Sequence, residues 1–90
     1  MASLEFSGKT ALITGAGSGI GRSIAIAFAN SGARVVLAGR RQEELEETAR
    51  LIREGSGEAF AVSADVTYER SVGALVDQVG PLHVAVNAAG

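Results

Sequence analysis

The stretch Lys9-Thr-Ala-Leu-Ile-Thr-Gly-Ala-Gly-Ser-Gly-Ile-Gly-Arg22 constrains the fold more than any other part of this chain. Lys9 to Thr14 is short, apolar and β-branched, which suits a strand covered on both faces. Four glycines follow within seven residues: Gly15, Gly17, Gly19 and Gly21. An amphipathic pattern then begins, with Ile20, Ile24, Ala27 and Phe28 at helical spacing. A glycine turn feeding a helix start presents free backbone N–H groups to an anion, and the helix dipole adds positive potential there. Gly15 permits the tight turn, Gly19 leaves room for a phosphate to approach the backbone, and Gly21 lets the helix pack close to the strand.

The spacing decides which phosphate-binding loop this is. The pattern G-x-G-x-x-G requires glycine at 20, where Ile stands, and the spacing present is Gly15-x-x-x-Gly19-x-Gly21. The triphosphate loop G-x-x-x-x-G-K-[ST] ending on Gly21-Arg22-Ser23 fails as well, because 16 is Ala and 22 is not lysine. A glycine-rich turn that holds no ligand is the plain alternative.

Composition narrows the function classes. The chain's 90 residues make one small domain, 1–90, with a modest core. It is 47% hydrophobic but only 4% aromatic, so Ala, Val, Ile and Leu build that core. A net charge of −2 with no basic face argues against nucleic acid as a partner. There is no cysteine, hence no disulfide or thiolate metal site. Met1 to Gly8 has no apolar core of signal-peptide length. No run reaches the ~18 apolar residues of a membrane span, so the expectation is a soluble, cytoplasmic protein.

Strands and helices alternate along the chain. Strands are expected at Thr10–Thr14, Arg34–Gly39, Ala59–Ser63 and Val84–Val86, the last leading into Asn87. A first helix runs from Gly19 to Asn30, with Gly32 placed to cap it. A second covers Gln42–Glu54, with Leu45, Ala49 and Ile52 buried, Glu46 and Arg50 one turn apart outside, and Gly55 and Gly57 ending it. Thr67 can cap a third, where Val72, Leu75, Val76 and Val79 form a stripe and Gly80-Pro81 stops it. Apolar strands separated by amphipathic helices imply an α/β fold with right-handed crossovers and a doubly wound parallel sheet of order 3-2-1-4. In that order ligands bind beyond the carboxyl ends of the strands, where the winding reverses between strands 1 and 4. The glycine turn, Gly39-Arg40-Arg41, Asp65 and Asn87 then share one rim.

With these motifs in place the chain resembles the short-chain dehydrogenase/reductase family. Thr14-Gly-Ala-Gly-Ser-Gly-Ile-Gly21 matches T-G-x-x-x-G-x-G, Asp65-Val66 matches the acidic residue after strand 3, and Asn87-Ala-Ala-Gly90 matches N-N-A-G with Ala88 for the second Asn. The resemblance runs from about Phe6 to Gly90 and covers the N-terminal, cofactor-binding part of such an enzyme. It implies a Rossmann-type sheet and a site for a nicotinamide cofactor, with Gly15, Ser18, Gly19, Ile20 and Gly21 around the phosphates.

Arg40 and Arg41 lie just before a helix, where the dipole disfavours cations, so they need an anionic partner. Glu43 and Glu44 could supply it, or the 2′-phosphate of NADP could. An NAD enzyme places an acidic residue after strand 2 for the ribose hydroxyls, and that position here is Gly39. In the family, Arg at the next position implies NADP rather than NAD, a role that falls to Arg40 with Arg41 as the weaker partner. Asp65 is either a helix-start residue or, by the resemblance, an acceptor for the adenine amino group, with Val66 against the ring. Asn87 is either an ordinary polar strand end or, by the resemblance, lies near the adenosine ribose; Ala88 and Gly90 complete that segment. His83, the only histidine, begins a strand away from the rim and reads as structural or solvated.

Family chemistry moves a hydride between nicotinamide and a carbonyl or alcohol carbon, using a Tyr-x-x-x-Lys pair and a Ser. The single tyrosine, Tyr68, has Val72 four residues on, and the single lysine is Lys9. No acid–base pair can be assembled from these, so the expectation is a fragment with a cofactor half-site, no catalytic residue and no metal site. The intact protein is then an NADP-dependent oxidoreductase acting on a small carbonyl or alcohol, with a homo-oligomer as one option. A non-catalytic nucleotide-binding or interaction module is the rival reading.

Overall fold

A computed structural model describes residues 5–16, 19–63 and 81–88. Its elements are β1 (Thr10–Thr14), α1 (Gly19–Asn30), β2 (Arg34–Gly39), α2 (Gln42–Glu54), β3 (Glu58–Ser63) and β4 (Val84–Asn87). The strands form one parallel sheet of order β3-β2-β1-β4, as the alternating pattern implied. The expected third helix, from Thr67 to Val79, lies outside the described residues, as do Ser18, Asp65, Val66 and Gly90.

The sheet has two distinct faces because side chains alternate along each strand. Ala11, Ile13, Val35, Leu37 and Ala59 pack with Ala25, Leu45, Ala49 and Ile52 from the two helices. Leu12, Val36 and Ala38 form a second buried cluster, joined by Val62 and Leu82. Both helices share one face because β1→β2 and β2→β3 step in the same direction, and right-handed crossovers then fall on the same side. After β3 the chain returns to the far side of β1, which creates the reversal between β1 and β4.

Helix α1 meets the sheet differently from the expected stripe. Gly21 and Ala25 are buried, Ile24 and Phe28 are partly buried, and Ile20 is 74% exposed. The cause is the approach at Gly21: a Cβ there would lie 2.0 Å from the Gly15 carbonyl oxygen. The helix is pressed down on its small residues, which rotates Ile20 out toward the rim. At its other end Phe6 packs edge-on against Phe28, with centroids 5.1 Å apart.

Both helix ends close by the same hydrogen-bond pattern. In α1, Ala33 N–H donates to Phe28 O at 3.1 Å and Gly32 N–H to Ala29 O at 3.0 Å, with Gly32 at φ +95°. In α2, Gly57 N–H donates to Ile52 O at 2.9 Å and Ser56 N–H to Arg53 O at 3.0 Å. The left-handed residue there is Ser56, φ 70°, and neither flanking glycine takes that role. Gly57 is glycine for a steric reason instead: its Cβ would sit 2.7 Å from Ile52 Cγ2.

Outside α2, Arg50 pairs with Glu47 and Glu54, while Glu46 accepts from Gln42 Nε2 at 3.0 Å. The expected Glu46–Arg50 neighbours are thus each committed elsewhere. Strand β3 starts at Glu58, one residue before the expected Ala59, where Glu58 pairs in register with Arg34 and accepts from its Nε at 3.2 Å.

Candidate functional site

Parallel register brings the carboxyl ends of the strands to one rim. Thr14 stands opposite Ala38 and Asn87, and Gly39 stands opposite Ser63. The glycine turn leaves β1 at this rim with Gly15 at φ +71°. Gly15 N–H and Ala16 N–H both point to Ala38 O, at 2.9 and 3.4 Å. These two amides therefore anchor the turn to β2, and among the described residues the further leading donors of the turn are those at the start of α1.

Those donors have favourable surroundings. The first N–H groups of a helix lack acceptors within it. The first turn of α1 carries no acidic side chain, so nothing there neutralises the positive end of the dipole. Gly19 sits at φ +58°, and a Cβ on it would meet nothing within 4 Å. Ile20 beside it is exposed. Among the described residues the turn offers what an anion needs: no atom over Gly19, leading helix amides, and a close Gly15–Gly21 contact that holds the helix end against the strand.

The underside of the turn is held by a polar cluster not anticipated from sequence. Thr48 of α2 is fully buried and its Oγ1 lies 3.0 Å from the Ala16 carbonyl oxygen, to which it donates. Thr48 Oγ1 in turn accepts from Arg22 Nε of α1 at 2.9 Å. Glu44 O lies 3.2 Å from Thr48 Oγ1 and accepts from Arg22 Nη2 at 3.4 Å. A signal was present: Leu45, Thr48, Ala49 and Ile52 follow i, i+3, i+4, i+7, so Thr48 is a polar residue inside an apolar stripe.

One strand over, Arg40 and Arg41 are exposed beyond the end of β2. Arg41 is the residue before α2, with φ −101° and ψ 99° and no side-chain capping bond. Its guanidinium lies 3.4 Å from Glu44 Oε1 while remaining 79% exposed. The carboxylate alternative is thus met for Arg41, by a solvent-facing pair of the kind that contributes little. Gly39 has a packing reason to lack a side chain: a Cβ would come within 3.3 Å of Leu45 Cδ2.

Asn87 ends β4 at the same rim, and its Oδ1 accepts from Thr14 Oγ1 at 3.0 Å. Ala88 N–H donates to Thr14 O at 2.9 Å, so the chain after β4 stays tied to β1. The structure therefore gathers Gly15, Gly19, Ile20, Gly21, Arg40, Arg41, Asn87 and Ala88 at one end of the sheet. His83 is at the opposite end, where its Nδ1 accepts from Thr10 N–H at 3.0 Å. Among the described residues no helix is long and apolar enough to cross a membrane, and no three metal-binding side chains cluster.

Comparison with known proteins agrees with this architecture. The family model for short chain dehydrogenase matches residues 9–90. The 7alpha-hydroxysteroid dehydrogenase of Escherichia coli (strain K12) is 41% identical across 97% of this chain and 36% of its own. The uncharacterized oxidoreductase YxbG of Bacillus subtilis (strain 168) is 43% identical across 91% of this chain and 32% of its own. The citronellol catabolism dehydrogenase AtuB of Pseudomonas aeruginosa PAO1 superposes with a TM-score of 0.89 at 38% identity, over 97% of this chain and 38% of that one. The chain thus spans about a third of the length of the curated relatives it matches.

Proposed function

The chain belongs to the short chain dehydrogenase family, and we propose that it forms the phosphate-and-ribose half of a nicotinamide cofactor site that prefers NADP to NAD. The observation that carries this reading is the turn itself: Gly21 lies against Gly15, and α1 opens at Gly19, over which no atom of the described residues comes within 4 Å of a Cβ. Its leading amides would hold the pyrophosphate, with Ser18 adding a hydroxyl. Arg40 would pair with the 2′-phosphate and Arg41 would assist after leaving Glu44. Asp65 and Val66 would receive the adenine, and Asn87, Ala88 and Gly90 would border the ribose, as the family motifs imply.

In the whole protein the cofactor would supply or take a hydride at a carbonyl or alcohol carbon, with a proton exchanged at the oxygen. The 90 residues hold no Tyr-x-x-x-Lys pair and only half of the cofactor site, so this chain by itself would bind NADP weakly or not at all and turn over nothing. A non-catalytic nucleotide-binding module shares the binding behaviour and differs only in the complete gene product's lack of turnover.

The test is titration of the complete gene product with NADPH and NADH, followed by Arg40→Asp. The expected result is tighter binding of NADPH in the parent, with the preference lost or reversed in Arg40→Asp. Equal affinities in the parent, or a preference that Arg40→Asp leaves unchanged, would contradict the NADP assignment. Absence of binding by either nucleotide would remove the cofactor site altogether.

A further inference from the structure

Two elements would read phosphate in this site: the glycine turn after β1, and the arginine pair before α2. We propose that Thr48, supported by Arg22, is the positioning residue that holds these two elements in fixed register, and so sets both nucleotide affinity and the preference for the extra phosphate. This rests on the reading of the chain as a nicotinamide-nucleotide site.

Three elements meet at the Thr48 hydroxyl. The hydroxyl lies within donating distance of Ala16 O in the turn at 3.0 Å and of Glu44 O on its own helix at 3.2 Å, the turn carbonyl being the nearer, and its lone pair takes Arg22 Nε–H from α1 at 2.9 Å. Thr48 itself stands on α2, one turn after Glu44, whose carbonyl oxygen also receives Arg22 Nη2. The Glu44 side chain in turn faces Arg41 at 3.4 Å. The path from the pyrophosphate turn to the arginine pair is therefore Ala16, Thr48, Glu44, Arg41, each step a polar contact or one helical turn.

Ala16 is the point where this matters. It is fully buried, its N–H is tied to Ala38 O on one side and its C=O to Thr48 on the other. Ala16 is thereby fixed between β2 and α2 at the start of the turn. A buried carbonyl that loses its donor pays the desolvation cost, and the turn relaxes to find another partner. Binding groups keep their geometry only when the groups behind them are locked in place. The cationic donor Arg22 strengthens the hydroxyl's bond to Ala16, since a hydroxyl that accepts becomes a better donor.

Thr48→Val and Thr48→Ser separate this role from packing. Valine fills the same space without a hydroxyl, and serine keeps the hydroxyl. In the complete gene product, Thr48→Val should raise the Kd for NADPH about tenfold and narrow the ratio between NADPH and NADH, while Thr48→Ser should stay within about twofold of the parent. A purely structural threonine would lower the urea midpoint in Thr48→Val and leave both dissociation constants at their parent values, which would overturn the proposal. Should Thr48→Val not fold, Arg22→Gln leaves the Thr48–Ala16 bond in place. A weaker but measurable rise in the NADPH Kd then supports the proposal, and no rise rejects it. The parent titration is the separate control: a parent that binds neither nucleotide removes the cofactor reading, whereas a binding parent with unaffected variants removes only the positioning role.

Discussion

The Thr14 hydroxyl donates to Asn87 Oδ1 across 3.0 Å, joining the last residue of β1 to the last residue of β4. It also lies 3.3 Å from Val86 O, so two acceptors on the neighbouring strand are within reach of the one hydroxyl, Asn87 Oδ1 being the nearer. This contact stands at the point where the winding of the sheet reverses, beside the glycine turn. Thr14→Val should destabilise the protein by about 0.5–1.5 kcal/mol, the net value of an ordinary hydrogen bond, and Thr14→Ser should recover most of it. Urea unfolding checks the stability, and faster hydrogen exchange at the Ala88 amide reports the loosened strand end.

Gly21 tolerates no side chain. A Cβ would stand 2.0 Å from Gly15 O and 2.8 Å from Gly15 C, both backbone atoms that cannot rotate away. Gly21→Ala must therefore lift α1 from the turn, at the upper end of the roughly 1–3 kcal/mol typical of overpacking. Gly19→Ala is the informative companion, since nothing lies within 4 Å of its Cβ. Its cost is confined to the left-handed backbone at φ +58°, about 1 kcal/mol. Chemical denaturation should rank Gly21→Ala as the more destabilised of the two.

Arg41 sits where a helix prefers a small polar cap and an absence of positive charge. It makes no side-chain capping bond. Arg41→Ser should stabilise the fold by about 1 kcal/mol while weakening NADPH binding. Opposite signs in a thermal melt and a nucleotide titration are the expected outcome. A loss of stability on replacing Arg41 would instead mean that its pair with Glu44 outweighs the cap.

Ser56 adopts φ 70° at the end of α2, a conformation that costs a side chain free energy and costs glycine almost none. Ser56→Gly should raise stability by about 0.5–1 kcal/mol, with no change at the carboxyl-end rim of the sheet. The measurement is the shift in unfolding midpoint, with nucleotide affinity as the control.

The Glu47 carboxyl is held below its ordinary value of 4.5, chiefly by the hydrogen bond from Arg50 and further by the charges of Arg50 and Arg22. A carboxylate with a lowered native pKa contributes stability above its unfolded value and loses that contribution as pH falls through the native one. Glu47→Gln should therefore flatten part of the acid limb of stability below pH about 4.5 and change little near neutrality beyond the loss of the pair. Both groups are on the solvent side, so added salt should shrink the difference between parent and variant. Urea midpoints measured across the acid range at two salt concentrations check both statements.

The order of elements, the parallel sheet and the position of the glycine turn were all legible in the residues. Each rests on local rules: alternation of apolar strands with amphipathic helices, and glycine where a strand turns directly into a helix. The rim residues Arg40 and Asn87 were legible for the same reason, because parallel register carries every strand's last residue to one edge. Contacts between distant segments were not. Ile20 looked like part of a buried stripe, and only the pressure of Gly21 on Gly15 turns it outward. Two glycines flank the end of α2, yet Ser56 takes the left-handed turn because Gly57 is needed against Ile52. Thr48 is marked in the sequence only as a polar residue within an apolar stripe; that Ala16 and Arg22 meet at its hydroxyl is decided by the tertiary structure. Sequence periodicity determines which face an element offers. Which atoms meet across that face depends on how closely two backbones approach, and that distance is set by packing of the whole domain.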